Sequence, residues 1–237
     1  MANLKSLVKD TAIYGLSSIV GRFLNYLLVP LYTIKITSVS GGYGVITNLY
    51  AYTALFLVLL TYGMETTFFR FANKSDENPQ RVYSTILLSV GFTSTLFIAM
   101  VVLFLHPIAQ AMGYADHPSY IWVMATTVAI DAFQCIPFAY LRYQKRPIKF
   151  ATLKLLFVGS NISLNLIYYL LLPALYEGGH QWVNLIYSPS VGAGYAFYIN
   201  LVCTASITFC FYKELRGFAY VFDKALLKRM LSYSWPI

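Results

Sequence analysis

Charge is scarce in this chain: 11% of its 237 residues are Asp, Glu, Lys or Arg, where a water-soluble domain carries roughly 25%. With 58% of residues hydrophobic, a soluble core of this length could not hide the apolar surface, so the solvent is lipid. Cysteine is scarce too. Cys135, Cys203 and Cys210 all fall inside apolar stretches, which excludes a disulfide framework or a zinc site and leaves them as small hydrophobes. Catalytic signatures are missing: there is no Walker sequence, no Gly-x-Ser-x-Gly and no Asp-x-Asp pair, hence no visible machinery for an ATP-driven or enzymatic mechanism. His106, His117 and His180 fall in connections without a metal pattern and read as solvated. The net charge of +8 is spread between apolar segments and never gathers into one basic run, so it does not indicate nucleic acid.

Long apolar runs are what the sequence does have. Runs of about 20 residues match the hydrocarbon thickness and lie at roughly 11–34, 45–69, 82–105, 119–141, 150–172 and 194–212. Each is expected to be a helix, because backbone in lipid must satisfy its own hydrogen bonds and these runs lack the alternation of barrel strands. The fold class is therefore all-α, a polytopic transmembrane bundle of six helices over 1–212, followed by a linker at 213–229 and the start of a seventh helix at 230–237. Placing the amino terminus inside puts Lys5 and Lys9; Arg70, Lys74 and Arg81; Arg142, Lys145, Arg146, Lys149 and Lys154; and Lys213, Arg216, Lys224, Lys228 and Arg229 in inner segments. Those are fifteen of the 17 basic residues, and the excess of Lys and Arg marks the cytoplasmic side. Because Arg22, Asn25 and Pro30 interrupt the first run, which has no small-residue cleavage site, it is expected to stay as a helix and not to be cleaved as a signal peptide.

Ionisable residues inside a span are costly and carry the most information. Thr11, Tyr14, Ser18, Arg22, Asn25 and Tyr32 recur at helical spacing in the first span. Arg22, near mid-membrane, costs about 2.5–3.5 kcal/mol on insertion scales unless something offsets it. Either it makes a structural ion pair with Glu65 or Asp131, or it lines an aqueous cavity. The fourth span carries the stripe Thr127, Asp131, Gln134, Phe138 and Arg142, with Pro137 placed to loosen or kink the helix. The fifth carries Lys154, Asn161, Asn165 and Tyr168, and the second Thr61 and Glu65 with Arg70 at its inner end. Asn161 and Asn165 suit interhelical hydrogen bonding or cavity lining equally. Gly15, Ser17, Ser18 and Gly21, and likewise Gly159 and Ser160, read as sites of close helix approach, and Ser40 to Gly44 as a tight turn.

Some of these residues also resemble a known family. Lys9-Asp10-Thr11-Ala12-Ile13-Tyr14-Gly15, Pro30-Leu31-Tyr32-Thr33, Tyr43-Gly44-Val45 and Tyr62-Gly63-Met64-Glu65-Thr66-Thr67-Phe68-Phe69-Arg70-Phe71 look like the polysaccharide-exporter branch of the multidrug/oligosaccharidyl-lipid/polysaccharide flippase superfamily. Pro137-Phe138-Ala139-Tyr140-Leu141-Arg142 with Arg146-Pro147, and Leu231-Ser232-Tyr233-Ser234-Trp235-Pro236, are similar to later parts of it. The resemblance implies one six-helix N-terminal lobe of a two-lobed transporter in a bacterial inner membrane. It implies export of a lipid-linked oligosaccharide, an undecaprenyl-diphosphate glycan, by alternating access. No cofactor is expected beyond a coupling proton or Na⁺. The implied partners are that cargo, membrane lipids, and the glycan polymerase and glycosyltransferases of the same pathway, with no nucleic acid. Arg22, Arg70 and Arg142 would then meet the anionic head group, Asn25, Gln134, Asn161 and Asn165 would line the cavity, and Asp131 or Glu65 would hold the coupling ion. The competing readings are a small-molecule cation exporter of the same superfamily and a membrane-embedded glycan polymerase; the longest outer connection, Pro173 to Gly192, offers the latter little beyond Glu177 and His180.

Overall fold

The computed structural model describes the backbone of residues 4–36, 42–74, 76–216 and 220–234, and the side chains of these except 4–10, Arg22 and Asn25. All regular structure among the described residues is helical. The chain runs through α1 (Leu4–Tyr26), α2 (Leu28–Lys35), α3 (Gly42–Thr61), α4 (Met64–Ala72), α5 (Pro79–Leu103), α6 (Leu105–Ala111) and α7 (Pro118–Tyr143). It continues through α8 (Pro147–Leu166), a π-helical turn (Ile167–Leu171), α9 (Leu172–Glu177), α10 (Gly194–Cys210), α11 (Tyr212–Leu215) and α12 (Lys224–Ser234). Among the described residues four helical stretches are long and apolar enough to cross a membrane, Gly42–Ala72, Pro79–Leu103, Pro118–Tyr143 and Pro147–Glu177; Thr11–Gly21 and Gly194–Cys210 are shorter apolar stretches.

The spans are more broken than their hydropathy suggests, and proline explains most of the breaks. A proline inside a helix lacks the N–H, and its ring collides with the carbonyl four residues earlier. Pro30 points back to Tyr26, where α1 ends; Pro107 points back to Leu103, where α5 ends; Pro173 points back to Tyr169, inside the π-helical turn. Pro137, expected to loosen its helix, instead sits within an unbroken α7. The second span breaks without proline: Tyr62 (φ 31°) and Gly63 (φ 69°) both enter the left-handed region. The α3 ladder ends with Tyr62 N–H donating to Val58 O at 3.0 Å and the α4 ladder begins with Thr67 N–H donating to Gly63 O at 3.0 Å.

The chain forms two compact units, residues 1–50 with 147–203 and residues 51–146 with 204–237. In the first, α1 packs along α8. Gly21 is the close-approach position: a Cβ there would lie 3.3 Å from Val158 Cγ2, and Tyr14 meets Phe150 edge-on at 5.1 Å. Gly15 and Gly159, expected to do the same, have open space where a side chain would go, so they take no part in such packing among the described residues.

In the second unit α5 and α7 pack most extensively, with α4 and α12 closing one end. Val123, Ala132, Ile136, Ala139 and Leu141 of α7 are fully buried. On α4, Met64, Thr67, Phe68 and Phe71 repeat at spacings of three and four, so the inward face is a single stripe. The helix expected from Met230 begins earlier, at Lys224, because Asp223 caps it: its Oδ1 accepts from Leu226 N–H at 3.0 Å. Leu226 and Met230 of α12 are then completely buried in the core of this unit.

Candidate functional site

In the first unit the polar stripe of α8 meets α2. Tyr32 Oη donates to Asn165 Oδ1 at 2.8 Å, and Asn165 Nδ2 donates to Asn161 O at 2.8 Å and to Asn161 Oδ1 at 3.0 Å. Asn165 is fully buried and Asn161 nearly so. Asn165 makes an interhelical hydrogen bond, accepting from Tyr32 on α2, whereas Asn161 accepts from Asn165 within α8. A ring cluster encloses the seam: Tyr169 meets Tyr32 edge-on at 5.5 Å, and Tyr43 stacks on Tyr32 at 6.3 Å. Nearby, Asn200 Nδ2 donates to Tyr50 Oη at 3.2 Å. Arg22 and Asn25 lie on α1, with side chains outside the described residues, so the expected partners of Arg22 remain expectations.

The second unit holds the charged residues of the second and fourth spans, Glu65, Arg70, Asp131 and Arg142. Asp131, Gln134, Cys135, Phe138 and Arg142 lie on one face of α7, and Asp131 stands about 16 Å along the helix from Arg142 at 1.5 Å per residue. At mid-helix, Gln134 Nε2 donates to Thr204 O at 2.7 Å and to Thr208 Oγ1 at 2.8 Å, and Thr204 Oγ1 lies 3.4 Å from Asp131 Oδ1. An apolar crevice of about 350 Å³ opens beside this network, with Gly91, Ser94, Ala129, Phe133 and Thr208 in its wall. The Ser94 hydroxyl is buried there with no hydrogen-bond partner among the described residues.

Toward the C-terminal end of α7, Arg142 Nη2 donates to Glu65 Oε1 and forms an ion pair with it, while Cys135 Sγ donates to Glu65 Oε2 at 2.9 Å. The other flank of the guanidinium lies over Phe69, 5.3 Å from the ring centroid. Glu65 and Phe69 are four residues apart on α4 and so share a face. The break at Gly63 makes Glu65 a first-turn residue of α4, where the helix dipole favours a carboxylate. Side-chain exposures of 32% for Arg142 and 37% for Glu65 leave the pair partly exposed at the surface of the chain. Arg70, in the last turn of α4, lies 4.3 Å over the ring of Tyr233 on α12.

Three further pairs hold the same end together: Arg81–Asp223 at 2.8 Å, Arg229–Glu77 at 2.7 Å and Arg146–Glu214 at 3.7 Å. Glu214, buried to 2% exposure, was invisible in the hydropathy pattern, as was the role of Cys135. The latter had a signal: it sits four residues from Asp131 and seven from Arg142, on the stripe already recognised. Thr204 and Thr208, four apart on α10, carry the same kind of mark. Among the described residues no group of His, Cys, Asp and Glu is arranged to hold a metal ion.

This arrangement supplies a partly exposed cation whose counter-ion sits on a separate short helix, and two polar networks, one joining α2 to α8 and one joining α7 to α10. No curated protein and no solved structure matches the chain. A family model described as polysaccharide biosynthesis protein matches residues 7–237, nearly the full sequence, and the chain belongs to that polysaccharide biosynthesis protein family.

Proposed function

We propose that this protein moves a lipid-linked oligosaccharide across the bacterial inner membrane for surface-polysaccharide export, by alternating access and with the amino terminus cytoplasmic. The observation that carries the reading is Arg142, a partly exposed guanidinium on a membrane-length helix, paired with the carboxylate of Glu65. A diphosphate head group accepts two hydrogen bonds from a guanidinium as a carboxylate does, through two oxygens of a tetrahedral phosphate and with more charge, so it competes for Arg142. Arg70 stands in the last turn of the same short helix as Glu65, and the orientation from the basic residues puts both arginines at the entry side. Arg22, near the middle of the first span in the sequence, is a second cationic candidate for the anion. Glu65 and Asp131 are the coupling candidates: taking up a proton at Glu65 removes the carboxylate charge opposite Arg142, which favours the anion in the competition for the guanidinium.

Transport of a fluorescent polyprenyl-diphosphate glycan into proteoliposomes tests this reading. Wild type is expected to move it under an imposed proton or sodium gradient, Arg142→Ala to lose most of that movement, and Arg142→Lys to keep part of it. Undiminished transport by Arg142→Ala would overturn the anion reading. Gradient-driven export of an organic cation, with no movement of the glycolipid, would establish the small-molecule exporter instead.

A further inference from the structure

We propose that α4 is a lever that ties the seating of α12 to the Glu65–Arg142 ion pair, with Tyr62–Gly63 as its hinge and Tyr233 as the positioning residue at its far end. The significance of this lever for transport rests on the function proposed above; the lever itself does not.

The hinge is a strained one. Gly63 takes a left-handed φ of 69° freely, but Tyr62 at φ 31° does not, since a non-glycine residue there is strained and persists where its surroundings hold it. Tyr62 is held: its hydroxyl lies 2.8 Å from Ser89 Oγ on α5. The two left-handed residues uncouple the hydrogen-bond ladder of α4 from that of α3, so α4 is a separate nine-residue rod. At about 1.5 Å per residue it is some 13 Å long.

The two ends of this rod carry different contacts. Its first turn presents Glu65 to Arg142 and Cys135. Its last turn presents Arg70 and Phe71 to one ring: Tyr233 takes the Arg70 guanidinium on its face at 4.3 Å and meets Phe71 at 6.2 Å in an edge arrangement. Tyr233 is fixed in turn by its helix, because Leu226 and Met230 are fully buried and Arg229 pairs with Glu77. Beyond one end of the helix, Val221 N–H donates to Ser84 Oγ at 2.8 Å. A shift of α12 therefore moves the Tyr233 ring, and the ring moves the end of α4 opposite the hinge. Rotation of a short rod about Gly63 carries Glu65 away from Arg142 and removes the acceptor of the Cys135 thiol.

Cys135 reports the state of the lever without any cargo. In full-length protein in its membrane, with Cys203→Ser and Cys210→Ser leaving Cys135 as the sole thiol, the rate of alkylation by N-ethylmaleimide reads how often the Glu65 contact opens. Tyr233→Leu is expected to raise that rate several-fold, and Tyr233→Phe, which keeps the ring face, to leave it at the wild-type value. Arg70→Ala is expected to give a rise like that of Tyr233→Leu, and the two changes together no more than either alone, because they break one contact. Should Tyr233→Leu not accumulate in the membrane, Arg70→Ala compared with Tyr233→Phe carries the test. Unchanged alkylation in Arg70→Ala, or additive increases in the double variant, would overturn the lever. Because no glycolipid enters this measurement, the lever can fail while the transport reading stands, and the reverse.

Discussion

Arg142 is gripped on two sides by one face of α4, the Glu65 carboxylate on one flank and the Phe69 ring on the other, four residues apart in sequence. The grip joins the C-terminal end of α7 to a helix that exists as a separate element because Gly63 interrupts the second span. Removing one member leaves the other charge without its main counter-ion. For a pair about one-third exposed the cost falls between the surface and buried extremes, on the order of 1–2 kcal/mol. Thermal unfolding of Glu65→Gln, Arg142→Met and the double variant in detergent is expected to give single losses of that size and a double loss smaller than their sum. Additive losses would show that the two side chains do not interact.

Asn165 is the most enclosed polar group of the first unit, and its hydrogen bonds join α2 to α8. Tyr32→Phe removes the donor and leaves Asn165 Oδ1 buried without it, at a cost of about 1 kcal/mol. Asn165→Leu cannot accept from Tyr32 at all and is expected to cost more. Stability measured in detergent distinguishes the two, and equal stability of all three proteins would mean that the seam contributes nothing.

Asp223 supplies a pH-dependent contribution to the seating of α12. Its carboxyl is held below the usual carboxylate range, first by the Leu226 N–H that it accepts and then by the neighbouring Arg81, with partial burial opposing them. A carboxyl whose folded value lies below its unfolded one stabilises the fold above the unfolded value, and that contribution is lost as pH falls through the folded one. Protection of the Leu226 and Leu227 amides from hydrogen exchange is therefore expected to be flat from neutral pH down to the ordinary carboxylate range and to fall below it. Asp223→Asn keeps an acceptor for the cap but cannot titrate, so its profile should be flat throughout. An acid-dependent loss in Asp223→Asn equal to that of wild type would assign the effect to another group.

Asp131 and Arg22 test the coupling and the anion path separately. With Asp131→Asn, transport is measured against an imposed proton or sodium gradient, and a weakened dependence on the gradient is expected; an unchanged dependence removes Asp131 from coupling. For Arg22→Ala, loss of surface-polysaccharide export is expected with the protein still present in the membrane. Normal export would exclude Arg22 from the path.

Gly21 provides a packing control. Its missing Cβ would stand 3.3 Å from Val158, so Gly21→Leu must push α1 off α8 and is expected to destabilise by about 1–3 kcal/mol, the usual cost of overpacking. Gly159→Leu, with open space at that position, should be nearly neutral. The pair of variants separates close helix approach from a general intolerance of bulk.

Much of the architecture follows from sequence alone, since hydropathy reports the burial of whole segments in lipid and Lys and Arg report which ends stay in water. The prolines carry more than those segments show: each of Pro30, Pro107 and Pro173 marks a break or π turn four residues upstream, by a steric rule that needs no tertiary contact. The polar stripe of α7 was also legible, because residues at spacings of three, four and seven must share a helix face. Which partner each stripe residue takes was not. Periodicity fixes the direction of a side chain around its own helix and carries no information about the helix that comes to face it. So Glu65 could be singled out as an intramembrane charge, whereas its pairing with Arg142, the thiol of Cys135 aimed at it, and the use of Asn165 as a hydrogen-bonded lock were decided by tertiary packing. Pro137 marks the same boundary from the other direction: α7 continues through it as one of the most enclosed helices of its unit. The sequence determined which residues are charged within lipid and which face of each helix carries them; the fold decided which of those charges meet.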